Sequence, residues 1–154
     1  MVSVRFFDSY DEIEAWTRIH SEGAVLSDKT PLLANLSMQE NIALMDEVHR
    51  FMPIKASQTL ARRLLAKLNL SHIEGKRVGA CSDFELFATM LLRAERMPKD
   101  EIFIVLPLSL LGHADAVEQT LALIALLDSP KAISILELNS NRMHYQGQTC
   151  HILD

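Results

Sequence analysis

Cys81 is the residue whose type and position come closest to nucleophilic chemistry, because it directly precedes a predicted helix. Ser82 and Glu85 form a capping box there, in which each side chain satisfies a backbone N–H that the helix start leaves unpaired. The helix dipole and nearby N–H groups would stabilise a thiolate, but Asp83 and Glu85 place negative charge beside the sulfur and raise its pKa. The pattern therefore favours a small residue before a helix cap over a catalytic nucleophile.

Two other arrangements of polar side chains suggest triad or acid–base chemistry. Ser109, His113 and Asp115 lie close together in the sequence, but no glycines surround the serine as a nucleophile elbow requires. Glu137 ends a strand-like run and could act as a lone base, although such terminal carboxylates usually meet solvent. A small α/β enzyme with an unrecognised site near Cys81, His113 and Glu137 stays open as an alternative, but no residue is assigned a catalytic role.

The six histidines never pair at the spacing that metal ligands take on a helix. His144 and His151 could face each other across a hairpin with Cys150 adjacent, which is a geometry that could hold zinc. Neighbouring strand residues such as Cys150 and His151 point to opposite faces, however, which argues against a shared site. We therefore predict no metal site and no cofactor.

A phosphate-binding loop needs several backbone N–H groups directed at one anion, and hence glycines before a helix and a following lysine. Gly75-Lys76 is the only Gly-Lys pair; Leu70 stands five residues before it and Arg77 replaces the expected Ser or Thr. The five glycines are not grouped as in a dinucleotide fingerprint. The sequence thus predicts no nucleotide-binding residue.

Composition narrows the class of protein. The chain of 154 residues suits one domain, and its net charge of −5 with mixed signs argues against a nucleic-acid partner. No apolar run approaches the ~20 residues that span a bilayer, and the first residues lack a secretion signal. Cys81 and Cys150 lie far apart, so we expect two free thiols in a reducing, cytoplasmic compartment.

A capped helix followed by an apolar strand forms the centre of the predicted fold, over residues 82–106. Residues 102–106 contain no polar side chain, which is typical of a strand covered on both faces in a parallel sheet. Residues 2–7 and 132–138 predict further strands, and Gln146-Gly147 predicts a C-terminal β-hairpin that closes the sheet edge. We predict an α/β fold with a mostly parallel central sheet flanked by helices.

Two consecutive helices without an intervening strand predict a helical insertion. Ser37 and Glu40 form a capping box before the first helix, and Pro53 separates it from the second, over residues 58–70. The apolar positions of the first helix recur at helical spacing and predict one buried face: Met38, Ile42, Met45, Val48 and then Phe51. The whole chain, 1–154, is predicted to be a single domain with a helical subdomain at about residues 37–97.

Several segments in this order resemble the ATP-binding subunits of ABC transporters. Residues 32–44, LLANLSMQENIAL, resemble the segment after the Q-loop, where a Leu-Leu, Leu-Thr-Val, Glu-Asn-Val pattern opens the helical subdomain. Residues 64–70 are similar to the helix before the family's signature, and residues 81–85, CSDFE, stand where Leu-Ser-Gly-Gly-Gln would. Residues 102–105 match the apolar half of a Walker B strand. The resemblance covers about residues 24–138 and implies a truncated P-loop NTPase fold.

The departures from the family pattern concern nucleotide chemistry. There is no Walker A sequence, and the two signature glycines are replaced by Asp83 and Phe84. Leu106 and Pro107 occupy the positions of the magnesium-binding aspartate and the catalytic glutamate, and no switch histidine follows residues 132–138. Phosphoryl transfer depends on positioning and charge neutralisation. The resemblance therefore implies a degenerate cassette that does not hydrolyse ATP.

The leading hypothesis is a non-catalytic ABC-ATPase-like protein, an accessory or regulatory component of a membrane transport complex. Its expected partner is a transporter permease subunit or an intact ABC ATPase, which would hold the chain at the inner face of the membrane. The resemblance implies a partner-docking surface formed by Asp28, Pro31, Leu32, Leu33, Asn35, Gln39, Phe51, Met52 and Ile54. The alternative is a self-associating structural module, a homo-oligomer that uses apolar residues such as Phe51.

Overall fold

The computed structural model describes residues 1–154 and contains one five-stranded parallel sheet. The strands are β1 Ser3–Phe7, β2 Gly23–Leu26, β3 Glu101–Val105, β4 Ala132–Leu138 and β5 His151–Leu153. Their order across the sheet is β2-β3-β4-β1-β5, and every pair is parallel. The predicted α/β fold with a parallel central sheet is confirmed.

The chain divides into two compact units, residues 1–30 with 99–154 and residues 31–98. The first unit holds the sheet with α1 Tyr10–Ile19, α5 Pro107–Leu111 and α6 Ala116–Leu127, and the second holds α2 Met38–Arg50, α3 Ile54–Lys67 and α4 Asp83–Arg96. Short 3-10 helices cover Ser71–Ile73, Val78–Ala80 and Asn139–Tyr145. None of the helices combines the length and the apolar character that crossing a bilayer requires.

One face of the sheet packs against α1 through an aromatic cluster. Phe103 on β3 is 1% exposed, and its ring lies 4.9 Å from the ring of Trp16 in an edge-on arrangement. Trp16 also stacks on His20, with ring centroids 3.8 Å apart. Gly23 at the start of β2 leaves room for this cluster, because a Cβ atom there would lie only 2.2 Å from Cε2 of Phe103. The close approach explains a glycine inside a strand.

The C-terminal segment differs from the prediction: the β-hairpin is wrong. Residues Asn139–Tyr145 form a 3-10 helix, Gly147 makes a turn with φ of 77°, and β5 then pairs with β1 in parallel. Because hairpin strands are antiparallel, β5 instead extends the sheet beyond β1 as a crossover strand. Val4 of β1 is thus flanked by Ile135 and Ile152.

A buried carboxylate explains why the chain coils after β4. Glu137 is 0% exposed and accepts three hydrogen bonds of 3.0 Å, from the Leu138 N–H, from Nδ2 of Asn141 and from the Tyr145 hydroxyl. Burial raises the pKa of Tyr145, so its hydroxyl keeps the proton that it donates. A buried carboxylate without these donors would be costly. The following segment therefore turns back over Glu137 before it forms β5.

Candidate partner-docking site

The nine residues predicted to dock a partner belong to both units. Asp28 lies exposed in a turn of the first unit, and the other eight lie in the second. Of those eight, Leu32 is buried, Gln39 and Met52 are half-buried, and the remainder are exposed: Pro31, Leu33, Asn35, Phe51 and Ile54.

The loop before α2 is held rigidly from both of its sides. Oδ1 of Asn41 accepts the Leu33 N–H at 2.8 Å, and Nδ2 of Asn41 donates to the carbonyl oxygens of Leu33 and Ser37 at 3.1 and 3.0 Å. Nη1 of Arg93 donates to the carbonyl oxygen of Pro31 at 2.9 Å. Asn41 is 1% exposed, so its amide is committed to ordering this loop.

The predicted surface of the second unit separates into two patches at opposite ends of α2. The helix is 13 residues long, which is about 20 Å at 1.5 Å per residue. Leu33 precedes its N-terminus and Phe51 follows its C-terminus. A single short helix of a partner would not span both patches. We call Val48, Phe51 and Ile54, at the turn from α2 to α3, the corner patch.

The corner patch exposes three apolar side chains, and two of them, Val48 and Phe51, lie on the stripe that the helical pattern predicts to be buried. Val48 is 54% exposed, Phe51 87% and Ile54 64%, whereas Met38 and Ile42 at the start of the same stripe are 0% exposed. The apolar periodicity of α2 therefore predicts burial correctly at Met38 and Ile42, and it is wrong at Val48 and Phe51. Phe51 is the one aromatic residue among the large apolar side chains that the chain leaves exposed. Exposed apolar residues grouped at one place commonly mark an interaction surface.

Phe51 also has an unfavourable backbone conformation. Its φ of 55° and ψ of 33° lie in the left-handed region, which helix ends usually fill with glycine. For a side chain with a Cβ this conformation costs about 1 kcal/mol or more. The N–H groups of Phe51 and Met52 both point to the carbonyl oxygen of Asp46, which closes the helix at this point.

The side chain of Asp46 also stabilises the end of α2, next to the corner patch. It is 1% exposed and accepts hydrogen bonds from Nε and Nη2 of Arg96 on α4 at 2.9 and 2.7 Å, and from Nη1 of Arg50 at 3.0 Å. The hydrogen bond to Asp46 raises the pKa of Arg96, as expected for a paired guanidinium. These hydrogen bonds join the end of α2 to the end of α4, and they hold the backbone that precedes Phe51 in place.

The carboxyl edge of the sheet, where open α/β sheets bind ligands, is acidic in this chain. The Ser9 hydroxyl accepts the Glu12 N–H at 3.3 Å, and Oε2 of Glu12 accepts the Asp8 N–H at 3.0 Å, so the carboxylates occupy the start of α1. The first unit carries thirteen acidic and six basic side chains. A phosphate at this helix start would meet Asp8, Asp11 and Glu12.

The other candidates for chemistry do not form a site. Burial, and next the charge of Glu85, raise the pKa of Cys81, which makes its thiol less reactive. Glu137 is enclosed by its three donors, and His113 lies exposed in the loop before α6. Asp115 precedes α6 but makes no capping hydrogen bond. No group of His, Cys, Asp and Glu in the chain is arranged to hold a metal ion.

No protein-family model matches the chain. No curated protein matches it either. Solved structures that match it include cbiO1 from Clostridium perfringens, part of the ABC transporter complex cbiONQ, with a TM-score of 0.70 and 10% identity over 90% of this chain and 67% of that chain. They also include MJ0796, a bacterial ABC transporter cassette whose structure is dimeric, with a TM-score of 0.67 and 12% identity over 92% and 75% of the two chains. The chain has an ABC-ATPase-like fold.

Within this ABC-ATPase-like fold, sequence reasoning missed the residues that support the docking surface. Asn41 and Asp46 are buried polar residues on α2, and Arg96 ends α4. The available signal was polar residues on the apolar stripe of a helix, since such residues need partners when they are buried. Only the folded structure identifies those partners, which are the loop before α2 for Asn41 and Arg50 and Arg96 for Asp46.

Proposed function

We propose that the protein is a non-catalytic ABC-ATPase-like component of a membrane transport complex, and that it binds a protein partner through the corner patch. The main support for this proposal is the exposure and backbone conformation of Phe51. Its ring is 87% exposed, so it gains little from burial, and its backbone is in a conformation that glycine would adopt without strain. An exposed aromatic side chain held rigidly is a typical anchor of a protein interface.

The lack of nucleotide chemistry supports the non-catalytic part of the proposal. β3 ends in Leu106 and Pro107, which offer no carboxylate to a magnesium ion, and no phosphate-binding sequence precedes a helix. The start of α1 is occupied by carboxylates, which repel a triphosphate. Titration calorimetry with magnesium and ATP tests this part directly. We expect no saturable heat up to millimolar nucleotide, and stoichiometric binding would overturn it.

The docking part is tested with the permease and ATPase subunits of ABC transporters from the same organism. We expect the chain to co-purify with one of them and the Phe51→Gly variant to lose the association. Because glycine relieves the positive φ, this variant should also be more stable than the wild type, by about 1 kcal/mol. Loss of binding together with gained stability separates docking from unfolding.

Asn69→Gly is the matched control for that experiment. Asn69 follows α3 with a φ of 60° and is exposed, so the change to glycine is similar but lies away from the corner patch. We expect Asn69→Gly to keep the association. If neither subunit associates with the wild-type chain, or if Phe51→Gly associates equally well, the proposed docking is wrong.

Self-association is a second candidate function, favoured by the same exposed apolar side chains. Light scattering over a wide range of concentration distinguishes the two. A monomer at all concentrations excludes the self-associating module, and an oligomer that Phe51→Gly dissociates would replace the docking proposal.

A further inference from the structure

The charges beside the corner patch indicate what kind of segment it binds. Lys55 lies next to Ile54, is exposed, and its ammonium group makes no hydrogen bond or ion pair in the chain. Of the nearby acids, Asp46 is bound by two arginines, and the half-buried Glu47 accepts the hydroxyl of the buried Ser57 at 3.0 Å, so neither acid pairs with Lys55. The cation left open at this surface is therefore Lys55.

The start of α3 adds partial positive charge at the same place. Its N-cap residue is Pro53, which makes no side-chain hydrogen bond, and its first turn contains no acidic residue. The helices α1, α2 and α4 begin instead with a serine that accepts a backbone N–H, followed by acidic residues. The first N–H groups of α3 therefore remain open toward solvent beside Lys55.

We infer that the partner segment that occupies the corner patch is acidic: an apolar helix or turn with an Asp or Glu that pairs with Lys55 beside the start of α3, while apolar side chains contact Phe51 and Ile54. This inference rests on the proposed docking function. The exposed Phe51 and Ile54 require an apolar partner, which a free anion does not provide. A carboxylate next to those apolar contacts complements the charge of Lys55.

A second copy of this chain is a poor occupant of the patch. In a two-fold symmetric contact the same surface is used by both subunits, so two copies of Lys55 and of the start of α3 would lie in one interface. Like charges that meet in this way oppose association. The second unit as a whole carries nine basic and seven acidic side chains, which also favours an acidic partner over a basic one.

A library of random amphipathic peptides displayed on phage provides the probe. It is selected on the full wild-type chain and depleted on Phe51→Gly, so that the retained peptides require the corner patch. We expect an Asp or Glu next to apolar residues in most of these peptides. Retained peptides without an excess of acidic residues would overturn the inference while leaving the docking proposal standing. The absence of any Phe51-dependent peptide would count against both.

A self-capping variant gives the second measurement. Pro53→Asp places a carboxylate at the N-cap of α3, where it accepts the open N–H groups and lies near Lys55. We expect the melting temperature to rise and the affinity for the selected peptides to fall by at least about threefold. Lys55→Gln should weaken the same peptides, and Pro53→Ala is the control that removes proline without adding charge. Equal peptide affinity for Pro53→Asp, Lys55→Gln and wild type would overturn the inference.

Discussion

Replacement of Gly23 by alanine should destabilise the first unit of the chain. The added Cβ would lie 2.2, 2.4 and 2.6 Å from three carbon atoms of the Phe103 ring. Carbon atoms in contact prefer about 3.5–4.0 Å, so each contact is too short by about 0.9 Å or more. The ring cannot move freely, because Phe103 is 1% exposed and lies edge-on to Trp16 at 4.9 Å. Either the ring or β2 must shift.

We expect Gly23→Ala to lower the free energy of unfolding by about 2 kcal/mol, within the range measured for overpacked cores. For a chain of this length that corresponds to a melting temperature lower by roughly 4–8 °C. Urea denaturation followed by tryptophan fluorescence is a suitable assay. Trp16 is the one tryptophan of the chain and contacts the perturbed ring directly.

Gly79→Ala is the matched control, because a Cβ at Gly79 meets nothing within 4 Å. It should be neutral or slightly stabilising, since alanine restricts the unfolded chain. A double variant with Phe103→Leu should recover part of the loss caused by Gly23→Ala, because the smaller side chain vacates the space. If Gly23→Ala is as stable as the wild type, the close packing of β2 against Phe103 is refuted.

Three further predictions concern buried or capping charges. Asp46→Asn should lower the free energy of unfolding by about 3 kcal/mol, because Arg50 and Arg96 lose a shared buried carboxylate. Urea denaturation measures this loss, with the exposed Glu22→Gln as the control. An equally large loss in Glu22→Gln would contradict the prediction. The Ser37 N–H holds the pKa of Glu40 below its ordinary 4.5, so its stabilisation is complete above that pH and lost as pH falls through the lower folded-state pKa. Glu40→Gln should therefore flatten the acid dependence of the urea midpoint, and an unchanged slope would exclude this carboxylate as its source. Tyr145→Phe should lower the free energy of unfolding at neutral pH by about 2 kcal/mol, because one oxygen of Glu137 loses its donor. Since burial raises the pKa of Tyr145, wild-type stability should also fall as pH rises above its ordinary 10.0. Burial also raises the pKa of Tyr10, so Tyr145→Phe should show a shallower decline, and an equally steep one would refute the assignment.

Local signals in the sequence predicted the elements that depend on local interactions. The capping boxes at Ser37 with Glu40 and at Ser82 with Glu85 are both present, with side-chain contacts of 2.9–3.2 Å. The apolar run before Leu106 is the buried strand β3. Caps and periodicity involve residues within a turn or two of each other, so the sequence alone carries them.

The errors arose where distant residues compete for one segment. The C-terminal hairpin was a sound prediction from Gln146-Gly147, but the buried carboxylate of Glu137 draws Tyr145 back over β4. The exposure of Val48 and Phe51 likewise depends on whether anything packs against the end of α2. Neither fact is encoded in the spacing of apolar residues.

The sequence by itself determined the capped helices α2 and α4 and the apolar strands β3 and β4, because those features depend on residue type and short spacing. The tertiary structure alone decided which polar groups meet across helices, such as Asp46 with Arg96, and which apolar side chains stay in solvent. The physical reason is that burial is a property of the assembled chain. The helical spacing alone would place Phe51 on the buried stripe of α2, whereas in the folded chain its side chain is 87% exposed.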